Sequence, residues 1–309
     1  MKAKITILLI ISVLQLHAQT YFDLTKEADY RCQWDNSMPL SSDLKKMKVY
    51  NANEVTEIFN TVTNSGVEFH YPQGGCQHRA HIMSLILKKK KIEHAKIWLF
   101  APVDLFFNNT QAFYINDENK FSGNGIINWN YHVATVILSN ENGATDTLVI
   151  DPSINRNKAL KVQDWFAEIG NHEKGKYTYL DPEQYFFYVK YFPNTNSLSS
   201  VISGCFYKYE GDTAKYLTLE KGLALNDMSM QIYDKYIKNF LNDSSKAATI
   251  SDLKLIFGNA TTSDLIFVAG NTPNANLLAA IQRNQQIVDE AKTTFASRLQ
   301  FWKNYVSTN

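Results

Sequence analysis

Residues 67–91, VEFHYPQGGCQHRAHIMSLILKKKK, constrain this chain more than any other stretch. A β-like run meets two glycines, then a cysteine, then apolar residues at helical spacing. Gly74 and Gly75 can take the positive φ of a sharp turn, so the backbone swings from a strand over 67–71 into a helix with Cys76 at its first positions. The unpaired N–H groups and positive dipole end of a helix stabilise a thiolate. Ala80, Met83, Ile86 and Leu87 recur every three or four residues as one buried face, and Lys88 to Lys91 close the helix at its negative end. A cysteine so placed has the setting of a nucleophile.

The 309 residues allow one large domain or two ordinary ones. With 31 Lys+Arg against 30 Asp+Glu, the chain carries no electrostatic footprint for nucleic acid or an anionic membrane. Residues 1–19 read as a signal peptide: Lys2 and Lys4 precede an apolar run from Ile5 to Leu16, and Ala18 is the small residue a signal peptidase prefers. The run is short for a membrane span, so the expectation is a secreted or periplasmic protein with no membrane insertion after cleavage. In an oxidising compartment two of the three cysteines can pair; Cys32 and Cys205 are the natural pair if Cys76 is the nucleophile, although spacing does not fix connectivity.

Residues 20–50 form a polar lead-in segment. A helix over 52–65 buries Val55, Ile58, Phe59 and Val62, and AKIWLF at 95–100 reads as a strand. Residues 104–128 read as a long polar loop of the kind that forms lids, binding surfaces or surface insertions. WNYHVATVIL (129–138) and DTLVID (146–151) are strands, joined by the hairpin signal Asn142-Gly143. A hairpin centred there puts His132 and Asp151 within about one residue of direct cross-strand opposition. Pro152 holds Asp151 extended and ends the strand. Residues 175–193 are an aromatic-rich pair of strands or a strand and a short helix. The composition then shifts near residue 211 to helices over 213–241, 250–258 and 273–306, the last capped by Thr272 with Pro273 in its first turn. The expected organisation is therefore 1–19 signal peptide, 20–50 lead-in, 51–211 catalytic domain of α+β class and 212–309 a C-terminal helical region.

A cysteine at a helix start, a histidine on a strand and an aspartate beside it are the parts of a thiol nucleophile system. The histidine shares the thiol proton, the aspartate orients the imidazole, and the thiolate attacks a carbonyl to give an acyl-enzyme. The backbone N–H of Cys76 is the obvious oxyanion donor. Gly75, Trp129 and Tyr131, flanking nucleophile and histidine, are candidates for the oxyanion site or substrate pocket. Cys76, His78 and His81 also spell C-x-H-x-x-H, but on a helix residues 78 and 81 share a face that 76 does not, and no fourth ligand stands at metal-site spacing, so no metal and no cofactor is assigned.

Three blocks carry a resemblance: Tyr71-Pro72-x-x-Gly75-Cys76-x-x-Arg79-Ala80-His81, Trp129-x-Tyr131-His132-Val133-Ala134 and Ile150-Asp151-Pro152-Ser153. In this order they resemble bacterial protein-glutaminase, over roughly residues 52–206. The resemblance implies a transglutaminase-like or papain-like core, an antiparallel sheet with the nucleophile on a helix, and a triad of Cys76, His132 and Asp151. It implies protein or peptide substrates bearing glutamine, deamidated to glutamate and ammonia with water as acyl acceptor. The chain departs from the familiar members in having few cysteines, in having about thirty residues rather than a long pro-region before the domain, and in its C-terminal helices. A transglutaminase or cysteine peptidase with the same triad is the first alternative. A non-catalytic binding protein on this scaffold is the second, and the intact trio argues against it.

Overall fold

The computed structural model describes residues 43–105, 108–141, 143–182, 184–189, 200–205, 219–268 and 273–308. The leader, the lead-in up to residue 42 and, with it, Cys32 of the expected Cys32–Cys205 pair lie outside these. Two compact units divide the chain. One holds the antiparallel hairpin β9 (Gln184–Val189) and β10 (Ser200–Cys205); the other holds residues 41–183 and 209–309 and is described below.

Its centre is a six-stranded sheet. β2 (Ala95–Phe100), β5 (Tyr131–Glu141), β6 (Ala144–Ile150), β7 (Leu160–Lys161) and β8 (Lys176–Leu180) run antiparallel in the order β7-β6-β5-β2-β8, and the short β1 (Val49–Tyr50) joins β5 in parallel. β5 is long enough to pair with β2 over its first half and with β1 near its end. The β5–β6 hairpin closes with Glu141 opposite Ala144, and Gly143 supplies the positive φ of 83° that the tight loop demands. A second, two-stranded sheet is made by β3 (Phe113–Asn116) and β4 (Ile126–Trp129). Its residues Phe113, Ile127 and Trp129 pack with Ile97, Leu99, Ala134 and Val149 of the main sheet and with Trp165 and Phe166 of α4 (Val162–Ala167) in one core. Residues 104–128 are thus partly ordered structure and not one open loop: α3 (Pro102–Leu105) and both strands fall within them or at their edges, and Phe121 is fully buried.

The helix α1 (Ala52–Thr63) begins on a capping box, in which the Asn51 side chain accepts from the Glu54 N–H and Glu54 reaches back to the Asn51 N–H. The helix α2 (Cys76–Lys89) starts at Cys76 and buries Ala80, Ile82, Met83, Ile86 and Leu87. Before it, residues 67–75 form no strand. Val67, Phe69 and Tyr71 are buried in alternation, which imitates a strand in sequence, but their backbone joins no ladder.

The C-terminal helices α5 (Leu219–Ile232, running on through a π turn to Phe240), α6 (Ala247–Phe257), α7 (Ala260–Phe267), α8 (Ala275–Arg283) and α9 (Gln285–Thr308) belong to the same unit as residues 41–183. The boundary expected near residue 211 lies outside the described residues; the helices beyond it share a core with the first half, in which Tyr71 and Phe121 pack with Met228, Leu253, Ile256 and Phe257. The single helix expected over 273–306 is two. Asn274, not Thr272, caps the first, and Asn284 separates them, its side chain donating to Asp252 at 2.9 Å and to the Ala280 carbonyl at 2.9 Å. No described helix is long and apolar enough to cross a membrane.

Candidate active site

The turn before α2 is built by its glycines. Gly75 caps the helix in the left-handed region at φ 74°, ψ 17°, and offers no side-chain cap to the first N–H groups of α2. Gly74 leaves no room for a side chain, since a Cβ there would come within 2.3 Å of the Ala260 methyl of α7. Arg79, one turn into α2 and 2% exposed, folds back and donates to the carbonyls of Tyr71 at 3.0 Å and Gly74 at 2.7 Å. Trp129 ties the same loop to the sheet: its Nε1 donates to the Pro72 carbonyl at 2.9 Å. Cys76 emerges from this clamped turn as a free thiol, 5% exposed.

His132 lies at the start of β5, fully buried, and its Nε2 meets Asp151 Oδ2 at 2.7 Å. The Asp151 carboxylate is saturated with donors. Trp165 Nε1 reaches Oδ2 at 2.9 Å, while the Ser153 N–H at 3.2 Å and the Ser153 hydroxyl both reach Oδ1. Burial works against its charge, but His132, Ser153 and Trp165 outweigh this and hold the carboxyl below its ordinary range. Burial likewise opposes the imidazolium; the charge and hydrogen bond of Asp151, followed by the Cys76 thiol, overcome it and raise His132 to about 9. With Nε2 committed to Asp151, Nδ1 is the nitrogen left without a hydrogen-bond partner, and Cys76 is close enough to act on the ring through charge. The imidazole stacks on two indoles, Trp129 at 4.7 Å and Trp165 at 5.6 Å between ring centroids. Chemically, the arrangement can hold a thiolate beside an imidazolium and pass one proton between them.

Cys76, His132 and Asp151 are therefore brought together. Gly75 is at the nucleophile as the helix cap, and Trp129 covers the histidine and pins the loop. Tyr131 differs from expectation: neighbouring residues of a strand face opposite ways, and it turns from the His132 face to stack on Trp98 at 5.5 Å. Among the described residues, no group of three or more His, Cys, Asp and Glu is placed to hold a metal ion, and His81 of the C-x-H-x-x-H run meets Lys96 Nζ at 2.9 Å. The sequence reading assigned no part to Arg79, Ser153, Trp165 or Asn226. Arg79 and Ser153 stood within the quoted blocks; Trp165 and Asn226 carried no local signal.

Two cavities flank the loop. One of about 840 Å³ touches Gln73 and is lined by residues 122–128 and by α6 and α7; the other, of about 420 Å³, touches Pro72, Ser153 and Asn155.

The model of a family described as Glutaminase matches residues 48–169, which include all three blocks and the whole Cys76–His132–Asp151 cluster. No curated protein sequence matches the chain. Among solved structures, protein-glutaminase from Chryseobacterium proteolyticum is similar at 20% identity and a TM-score of 0.38, covering 59% of this chain and 89% of that one. A pro-protein-glutaminase is similar at 19% identity and a TM-score of 0.36, over 48% of this chain and 52% of that one. A protein-glutaminase crystal structure is similar at 19% identity and a TM-score of 0.34, over 49% and 80%.

Proposed function

We propose that this chain is a protein-glutamine deamidase that works through a Cys76 thioester on a transglutaminase-like core. The observation that carries the reading is that Asp151 holds Nε2 of His132 at 2.7 Å while Nδ1 stays open on a ring close to Cys76 at the start of α2; in this reading Nδ1 serves the thiol. The glutaminase family match over residues 48–169 supports the choice of substrate.

The Cys76 thiolate adds to the γ-carbonyl carbon of a glutamine side chain. As the C–N bond breaks, the His132 imidazolium gives its proton to the departing nitrogen, so ammonia leaves and a thioester remains. The neutral imidazole then takes a proton from water, whose oxygen attacks the thioester. The product is a glutamate side chain, and the thiolate–imidazolium pair is restored. Asp151 fixes the ring through both steps without taking the proton. Export directed by residues 1–19 is part of this proposal; N-terminal sequencing of the mature protein tests it, and retention of the leader in a cell-bound form would sink it.

The catalytic reading is tested by incubating the purified protein with a glutamine-rich protein, with and without a primary amine. Ammonia release without cross-linking, amine incorporation or cleavage, abolished by Cys76→Ala, is the expected result. Amine incorporation would make the protein a transglutaminase and new peptide fragments a peptidase. Silence on every substrate, with Cys76 no more reactive than an ordinary thiol, would leave a binding protein on this scaffold.

A further inference from the structure

α5 runs alongside α2 in the opposite direction. Gly222 lies against the His78 ring, where a Cβ would come within 2.4 Å, and one turn later Asn226 lies against Gly75, the cap immediately before Cys76. The absence of a side chain on Gly75 admits the Asn226 carboxamide, whose Nδ2 and Oδ1 would stand 2.8 Å and 2.9 Å from a Cβ there. Asn226 is 2% exposed, yet its Nδ2 has no hydrogen-bond partner among the described residues. Buried amide donors are almost always paired. One left open against Gly75, the cap of the nucleophile's own helix, is a donor free to take an acceptor that arrives with substrate.

The turn of α5 that carries Asn226 is also held in place. Its neighbour Asp227 accepts from Arg298 Nε at 2.7 Å and from Trp302 Nε1 at 2.6 Å, which fixes this turn of α5 to α9. A donor so anchored needs no reorganisation when charge develops in front of it.

We propose that Asn226 is a catalytic residue of the deamidation, its Nδ2–H donating to the glutamine carbonyl oxygen as that oxygen takes up charge, beside the backbone N–H of Cys76. The inference rests on the deamidase reading above. As the Sγ–C bond forms, the carbonyl π pair moves onto oxygen; it returns when the C–N bond breaks, and Asn226 gains or loses no proton. The C-terminal helices then complete the site as well as the fold.

The test compares Asn226→Ala and Asn226→Asp with the full-length protein in two assays. Ammonia release from a glutamine-bearing protein passes through an oxyanion. Alkylation of Cys76 by iodoacetamide displaces iodide from a saturated carbon and does not. We expect Asn226→Ala to lower kcat about 10²- to 10³-fold with KM little changed, and Asn226→Asp to lower it at least as far. For the uncharged Asn226→Ala, the alkylation rate, its pH profile and the melting temperature should stay at the full-length protein's values. A kcat within about threefold of that protein, or a loss of alkylation in parallel with turnover, would overturn the assignment, the latter making Asn226 packing for the Gly75–Cys76 turn. If Asn226→Ala does not fold, Asn226→Ser reads the same loss. Absence of ammonia release by the unsubstituted protein would instead overturn the deamidase reading, and the inference with it.

Discussion

His132 and Asp151 meet at 2.7 Å although the hairpin that carries them does not place them opposite one another. The β5–β6 register pairs Thr135 with Ile150, so the position facing His132 is 153, two beyond Asp151. The chain leaves β6 after Ile150, and the Asp151 carbonyl accepts from the N–H groups of Ile154 and Asn155 at 3.0 Å and 2.9 Å. This turn brings the carboxylate back along the strand end to His132. Proximity here comes from a strand, a proline and a turn acting together.

Because Asp151 accepts donors at both oxygens, Asp151→Asn cannot satisfy them all: an amide offers one acceptor oxygen and puts an NH₂ against the other set. Turnover should fall about 10²- to 10⁴-fold, and stability by about 1–3 kcal/mol for the mismatched buried donors. Steady-state kinetics and urea unfolding check the two. An unchanged rate would move the orienting role to another residue.

The pH dependence follows from the raised imidazole. A histidine whose native value is about 9 contributes stability that is fully present below the unfolded value of ~6.5 and is lost as pH rises through 9. Asp151, held low, contributes above its unfolded value and loses that contribution in acid. The same proton is the one given to departing ammonia, so kcat/KM should fall on an alkaline limb centred near 9. His132→Ala should remove both the activity and the alkaline decline in stability. A limb centred near 6.5 would show that the imidazole is not coupled to Asp151 and Cys76 as the geometry requires.

Arg79 bridges the carbonyls of Tyr71 and Gly74 from within the core. Burial lowers its pKa, and Cys76 and Asp151 are the foremost charges opposing that fall. Both bonds leave one nitrogen, Nη1, and a lysine ammonium sits on a different stem without the planar guanidinium that aims Nη1 at the two carbonyls, so Arg79→Lys should lose at least one of them. The expected cost is about 1–3 kcal/mol, together with slower alkylation of Cys76 as the loop slackens. Alkylation at the unsubstituted rate would confine Arg79 to packing.

What the sequence disclosed depended on range. Two glycines before a helical pattern, Asn-Gly between strands and Asp-Pro at a strand end are local signals, and they locate Cys76, His132 and Asp151. Trp165, Arg79 and Asn226 act through tertiary contacts that no periodicity encodes. Residues 67–71 read as a strand because Val67, Phe69 and Tyr71 alternate in burial; what holds them is Arg79 and the Tyr71 hydroxyl, which donates to the Phe257 carbonyl at 2.7 Å, and not a ladder. Residues 104–128 looked like open loop because their polar residues hide a short hairpin and the buried Phe121. The break at Asn284 was concealed by apolar residues that continue in helical register on both sides of it.

Removal of the C-terminal helices is the sharpest test of how far the catalytic half stands alone. Tyr71 and Phe121, both fully buried, pack into the cluster formed with Met228, Leu253, Ile256 and Phe257, and their rings meet edge to face at 5.7 Å. Exposing two such side chains costs roughly 3–6 kcal/mol, against a net stability on the order of 5–15 kcal/mol for a whole protein. Truncation also strips Ala260 from Gly74, freeing the turn that presents Cys76. A chain ending at residue 211 should therefore be insoluble or unfold without a cooperative transition in urea, and should release no ammonia from glutamine peptides. A soluble fragment that unfolds cooperatively and still deamidates small peptides would show that the helices are a detachable module, and that the packing across α2, α5 and α7 is dispensable for the site.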